Sequence, residues 1–316
     1  MSKVLILGGA GFIGSNIAEY FVSKNDKVVV LDGLMGKTGG SKRNLERINN
    51  KIEIYYSNIK GAPYLKSLIT NSEIIIDCMA WTSHHSAIED PLYDMELNCS
   101  SHLYLINLLR EAGGKKIIFI SSRGIYGNVE NNKIDEHTPL NPIDIQGIHK
   151  LTGETYFKIY SKNYGFNIVS LRIPNCFGEN QPYEGEDIGL IGSFIRNALL
   201  NKKIEVFGED RKRSLIFAAD VARIVWLISR KEWGGFIPLN INGLSKPIIE
   251  LADNIVSIIG GGEIILKEMP SSIRNIDIGN IIIDDSRLKE FIGDYSLSEF
   301  QESLTVTINY FKKIAL

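Results

Sequence analysis

Gly8-Gly9-Ala10-Gly11-Phe12-Ile13-Gly14 follows the apolar run Val4-Leu5-Ile6-Leu7 directly and leads into a helical pattern. Glycines at 8, 11 and 14 permit a tight turn, a close approach of backbone amides to a bound group, and contact between helix and strand. The helix N-terminus adds positive potential at the same place, so the stretch reads as a cradle for a pyrophosphate.

Working outward, β-branched runs at 3–7, 27–31, 52–56, 74–77, 116–121 and 167–172 predict six buried strands. Helical patterns at 12–24, 62–70, 94–112 and 144–163 separate them. Strict alternation implies an α/β fold with a doubly wound, Rossmann-type parallel sheet and right-handed crossovers. After Arg172 the rhythm changes to a loop-rich stretch at 174–189, a helix near 190–200 and shorter pieces. We therefore expect a dinucleotide-binding domain at 1–172, with part of 213–240 packing back on it, and a smaller C-terminal substrate-binding lobe at 173–316.

Composition narrows the class. At 316 residues the chain can bury a sizeable core, and 35 Lys+Arg against 37 Asp+Glu give a net charge of -2. Neither a nucleic-acid nor a membrane partner is expected from that balance, and anionic ligands need local basic sites. Cys78, Cys99 and Cys176 have no metal-type spacing, so neither a disulfide framework nor a metal site is expected. The first apolar run is too short for a signal segment or a membrane span, and a reducing cytoplasm fits best.

Asp32 closes the second strand, where a carboxylate can accept both ribose hydroxyls and repel a 2′-phosphate, which favours NAD. Nearby Lys37, Lys42 and Arg43 leave a phosphate open. Asn58, after the third strand, can reach the adenine or serve as a solvated turn residue.

Further motifs carry a resemblance. They are Asp32-Gly33-Leu34, Ser121-Ser122-Arg123-Gly124-Ile125-Tyr126-Gly127, Lys150 with Gly153-Glu154, Leu171-Arg172-Ile173-Pro174-Asn175-Cys176-Phe177-Gly178, and Phe207-Gly208-Glu209 followed by Arg213 and Asp220-Val221-Ala222. With the glycine spacing they resemble the extended short-chain dehydrogenase/reductase family, the NAD-dependent nucleotide-sugar epimerases and dehydratases related to UDP-galactose 4-epimerase. The resemblance covers almost the whole chain. It implies that Ser122 bonds the sugar hydroxyl being oxidised and that Lys150 holds the nicotinamide ribose. It also implies cofactor contacts from Gly8, Gly11, Phe12, Ile13, Gly14 and Ala80.

One position departs from that pattern. Family members carry Tyr-x-x-x-Lys, and the spacing from Lys150 places Gln146 where the tyrosine stands. An amide cannot act as a general base near neutrality. Three explanations stay open: His84 or His85, after the fourth strand, takes the proton; Lys150 or a water held by Gln146 and Ser122 relays it; or the site binds without turnover.

By the same resemblance Asn175, Arg213 and Arg274 contact the substrate diphosphate or its ribose, and residues 189–196 enclose the base. Arg123 and Tyr126, following Ser122, can touch the sugar, which admits an acidic or keto sugar; packing is the alternative for Tyr126. The expected protein is an NAD-retaining nucleotide-sugar epimerase that transiently oxidises the sugar, at C4 before other carbons. A dehydrogenase, a 4-keto reductase, a decarboxylase or a catalytically degenerate binding protein are the alternatives. No Asp-Glu pair follows Ser122 to serve a dehydratase. A homodimer through 94–112 and 144–163 is expected from the resemblance.

Overall fold

Parallel strands covered on both faces must be apolar nearly throughout, and the first half of the chain supplies such runs. The computed structural model describes residues 2–113, 115–129, 133–185, 188–208, 210–275 and 277–315. It forms β1 (Lys3–Leu7), β2 (Lys27–Asp32), β3 (Glu53–Tyr56), β4 (Ile74–Asp77), β5 (Lys116–Ser122) and β6 (Asn167–Ile173). A seventh strand, β7 (Phe236–Asn240), completes one sheet in the order β7-β6-β5-β4-β1-β2-β3, with every pairing parallel. The order reverses between β1 and β4, which leaves a crevice at the carboxyl ends of those strands.

Successive strand side chains point to opposite faces, so each strand feeds two cores. Val4, Ile6, Val28, Val30, Ile118 and Val169 pack with Phe21 of α1 (Phe12–Ser23) and with Val221, Ile224 and Val225 of the helix Ala218–Ser229. Leu5, Leu7, Val29, Ile75, Ile117 and Phe119 pack on the other side, against Leu65, Leu68, Leu105, Leu109 and Phe157. Those come from the helices Leu65–Thr70, Ser101–Ala112 and Ile145–Tyr164. The result is the expected α/β sheet between two helical layers.

Two elements differ from the sequence expectation. β7 was not among the expected strands because it holds Pro238 and follows Gly234-Gly235; at the sheet edge a proline costs no ladder bond on its open side. The helix expected at 94–112 is divided into Pro91–Met95, a π turn at Glu96–Ser100 and Ser101–Ala112. Asp90 starts it early by accepting from the Tyr93 amide, with Pro91 in the first turn. The wider turn carries Glu96, Leu97 and Ser101 to the crevice.

Beyond β6, Asn175–Phe177, Lys212–Phe217 and Leu244–Pro247 form a three-stranded sheet, and Lys203–Phe207 pairs in parallel with Glu263–Lys267. Around them Phe177, Phe194, Ile195, Leu251, Ile255, Leu304 and Phe311 bury a core of their own. These elements overhang the carboxyl ends of the large sheet. Among the described residues no helix is long and apolar enough to cross a membrane.

Candidate active site

A cleft of about 550 Å³ runs from the glycine turn, along the ends of β4 and β5, to the C-terminal elements. Gly8, Gly11, Phe12, Ile13 and Gly14 form its floor at one end. Gly8 has φ +70, and a Cβ at Gly14 would stand 2.3 Å from the Gly8 carbonyl oxygen, so neither position tolerates a side chain. No acidic side chain occupies the first turn of α1, whose amides are left for an anion.

Asp32 stands beside this floor. Its Oδ2 accepts from the Ala10 amide at 2.8 Å and its Oδ1 from the Leu34 amide at 2.7 Å. Burial pushes its carboxyl above the ordinary value, against the lowering pull of the Leu34 and Ala10 amides. A glycine cradle with an acid at the end of β2 fits a dinucleotide with free ribose hydroxyls. Lys37, Lys42 and Arg43 do not line the cleft, and the Lys42 ammonium lies over the Tyr56 ring. Asn58 and Ala80 do line it. The Asn58 side chain is occupied in capping a turn, accepting from the Lys60 amide at 2.9 Å, with its amide 3.3 Å from Met35 Sδ.

Ser122, Gln146, Lys150 and His84 line the same cleft. Ser122 closes β5, and its Oγ caps the following turn by accepting from the Gly124 amide at 3.0 Å. Gln146 and Lys150 come from the helix Ile145–Tyr164, one turn apart, and each is only 3% exposed. Gln146 Oε1 is buried without a hydrogen-bond partner among the described residues. The Lys150 ammonium lies 4.8 Å from the Phe119 ring centre, and burial lowers its pKa while Asp77 pulls the other way.

That helix is locked to the sheet from below. Glu154 accepts from Ser121 and Ser170, each at 2.8 Å, and pairs with Arg172. Arg172 in turn donates to the Tyr126 hydroxyl at 2.7 Å, and Tyr126 donates to Asn240 at 2.8 Å. Tyr126 is therefore fully buried and off the cleft wall, which corrects the expectation that it touches a sugar. Burial pushes its phenol up to about 12.

The two histidines separate. Both lie on a short helix, His84–Glu89, capped by Ser83, and neighbouring residues of a helix point about 100° apart. His85 turns outward to Glu89 at 3.4 Å, with 81% of its side chain exposed, and is corrected as a site residue. His84 lines the cleft and places Nδ1 2.7 Å from Asp144 Oδ2. Asp144 also lines the cleft, and its Oδ1 caps the helix Ile145–Tyr164 by accepting from the Gly147 amide at 2.6 Å. Against a carboxylate, Nδ1 must carry the ring proton, which leaves Nε2 as an acceptor. Sequence reading missed Asp144 because a residue before a helix reads as an N-cap and nothing more.

The far end of the cleft is basic. Arg213 donates to Asp277 Oδ1 at 2.6 Å, and Arg211 Nε approaches Asp277 Oδ2 to 2.7 Å without hydrogen-bond alignment. Arg123 Nε donates to Asn175 Oδ1 at 3.1 Å. All five residues line the cleft. Arg274 does not: it is exposed and donates to the Met269 carbonyl at 3.0 Å, while its neighbour Ile273 faces inward. Arg211, just before the strand Lys212–Phe217, does line it. Gly189 and Leu190 line the cleft as well, whereas Glu209 and Ile276 lie outside the described residues.

The profile of the NAD dependent epimerase/dehydratase family matches residues 4–241. The putative UDP-glucose 4-epimerase of Methanocaldococcus jannaschii is 30% identical over 312 residues, covering 98% of each chain. The structure of the Thermotoga maritima UDP-glucose 4-epimerase with UDP-glucose superposes with a TM-score of 0.88 at 26% identity, over 99% of this chain and 100% of that one. The Thermus thermophilus UDP-glucose 4-epimerase complex with NAD gives 0.82 at 25% identity, over 98% and 99%.

Proposed function

The chain belongs to the NAD-dependent epimerase/dehydratase family, with NAD as its cofactor, and from that premise we propose that it is a UDP-hexose epimerase acting at C4. The reading rests on one observation: Ser122, Gln146, Lys150 and the His84–Asp144 pair converge on a single cleft between the glycine turn and the basic end. We read 1–172 with β7 as the unit that binds NAD and 173–316 as the part that mainly binds the nucleotide sugar.

Gly8 to Gly14 and Asp32 would hold NAD, with Lys150 on its nicotinamide ribose. Bound there, NAD supplies reversible uptake of hydride. Ser122 bonds the C4 hydroxyl and steadies the developing alkoxide. Gln146, in the tyrosine's place, offers its unpartnered Oε1 to a neighbouring sugar hydroxyl and so orients the ring, leaving the C4 hydroxyl hydrogen to His84. His84 Nε2 takes the proton, and Asp144 holds the ring in the required tautomer. Lys150 adds positive charge in a dry pocket. Inversion then requires the sugar to present its other face before hydride and proton return.

Arg211 and Arg213 take the diphosphate, two guanidinium groups on one doubly charged ligand. Exposed Leu92, Met95, Tyr104, Ile148, Ile159 and Tyr164 on the two long helical segments support a homodimer. Proton NMR of the purified protein with UDP-, dTDP-, GDP- and CDP-sugars, without added cofactor, tests the activity. A new sugar stereoisomer that Lys150→Ala abolishes is the expected result; silence across the panel refutes it.

A further inference from the structure

Resting on the cleft's reading as a nucleotide-sugar site, we propose that the substrate is an acidic nucleotide sugar whose carboxylate Arg123 receives. Buried guanidinium groups are normally matched by carboxylates, because a desolvated charge without a counter-charge is costly. The neighbouring arginines obey this rule: Arg172 pairs with Glu154, and Arg211 and Arg213 share Asp277. Arg123, itself half-buried, does not. Its Nε and Nη2 both donate to one amide oxygen, Asn175 Oδ1, and it makes no ion pair among the described residues. Nη1 makes no hydrogen bond among them either, so much of a five-donor fork faces the cleft unmatched.

The electrostatics agree with an anion-ready group. Desolvation, then repulsion from Arg213, brings the Arg123 guanidinium down to about 9. An incoming anion would offset both, adding to the partial compensation that the Asp277 charge already gives, and a planar carboxylate matches the planar fork in a bidentate pair. Position selects the sugar over the diphosphate. Arg123 directly follows Ser122 at the end of β5, and Ser122 is the residue assigned to the C4 hydroxyl. In a hexuronate the carboxylate is carried on C5, the carbon next to C4. The diphosphate has its own pair of arginines, Arg211 and Arg213, on or beside the strand Lys212–Phe217 of the smaller sheet.

Isothermal titration of the protein, as purified with its cofactor, against UDP-glucuronate, UDP-glucose and UDP tests this without relying on turnover. The wild-type chain is expected to bind UDP-glucuronate at least about tenfold more tightly than UDP-glucose. Arg123→Gln should weaken UDP-glucuronate by at least about thirtyfold, and UDP by less than about threefold. Arg123→Lys, which keeps the charge but not the fork, should fall between. Equal losses for all three ligands would assign Arg123 to the diphosphate and overturn the proposal, as would equal wild-type affinity for the acidic and neutral sugars. Selective binding without turnover would instead refute the epimerase reading and leave this one standing.

Discussion

Asp144→Asn isolates the assignment of the base, because Asp144 has two duties on two different oxygens. Oδ1 caps the helix through the Gly147 amide at 2.6 Å, and Oδ2 holds His84 Nδ1 at 2.7 Å. Asparagine caps helices about as well as aspartate, so if its carbonyl oxygen keeps the Gly147 amide, its nitrogen faces His84. Two donors cannot meet, and the imidazole must then accept at Nδ1 and carry its proton on Nε2. Nε2 loses the lone pair the reaction needs. Stability should change by less than about 1 kcal/mol, since His84 is half exposed and such pairs contribute little. The rate should fall by roughly 10²–10⁴, the range for losing a general base. Asp144→Ala adds loss of the cap, about 0.5–2 kcal/mol in urea titration. The assay is the initial rate of sugar interconversion by NMR, with substrate affinity measured in parallel so that kcat and KM separate. A kcat for Asp144→Asn within threefold of wild type would refute His84 as the base and return the proton to Lys150 or a water.

Four further outcomes follow from the same structure. Glu154→Gln leaves Arg172 buried without its counter-charge, which costs about 3–5 kcal/mol; at about 2 °C per kcal/mol for a chain this size, Tm should fall by roughly 6–10 °C, and an unchanged Tm would contradict the network. Gly14→Ala drives a Cβ to 2.3 Å from the Gly8 oxygen, so the purified variant should have lost its NAD, read from the nucleotide released on denaturation. Lys150→Met should abolish turnover and raise Tm at neutral pH. The Lys150 pKa is lowered below its unfolded value by burial, so between the two values the unfolded chain binds more protons, stability rises with pH, and the folded ammonium carries its penalty throughout the range below; a lower Tm would count against this. For Asp144 burial raises the pKa, but the His84 bond and charge and the Gly147 amide outweigh it and hold it below 3.8. Its contribution is complete above that value and lost as pH falls through the folded one, so His84→Ala should move acid unfolding to higher pH.

The sheet was legible because its information is local. A parallel strand buried on both faces announces itself as Val4-Leu5-Ile6-Leu7 or Ile74-Ile75-Ile76, and a glycine turn between strand and helix has few other uses. The candidate site was legible only in part, because which side chains share a cleft is set by tertiary packing. Arg123 and Tyr126 lie in one short motif, yet the first faces the cleft and the second is drawn under the sheet end by Arg172 and Asn240, from β6 and β7. His84 and His85 are adjacent and part company through helical rotation alone. Arg274 had the resemblance and Arg211 has the geometry.

The same chemical unit occurs three times around the Lys150 helix, and position rather than composition decides its use. His102 Nδ1 lies 2.7 Å from Asp77, His149 Nδ1 lies 2.6 Å from Asp94, and His84 Nδ1 lies 2.7 Å from Asp144. The first pair is wholly buried, with His102 packed edge-on to Phe119 and its Nε2 unpartnered among the described residues; it has no path to a ligand and can only set the field beneath Lys150. The second stands one turn after Gln146 but faces Asp94 on the helix Pro91–Met95, away from the cleft wall. Only the third combines a carboxylate-fixed tautomer with a place on the wall that carries Ser122 and Gln146. If proton transfer has moved off the residue at 146, His84 is therefore the one imidazole of the three that can both hold its tautomer and meet the substrate. His102→Asn and His149→Asn should accordingly disturb stability or the electrostatics of Lys150 while leaving a working base, and a loss from either as deep as that of His84→Ala would break the assignment.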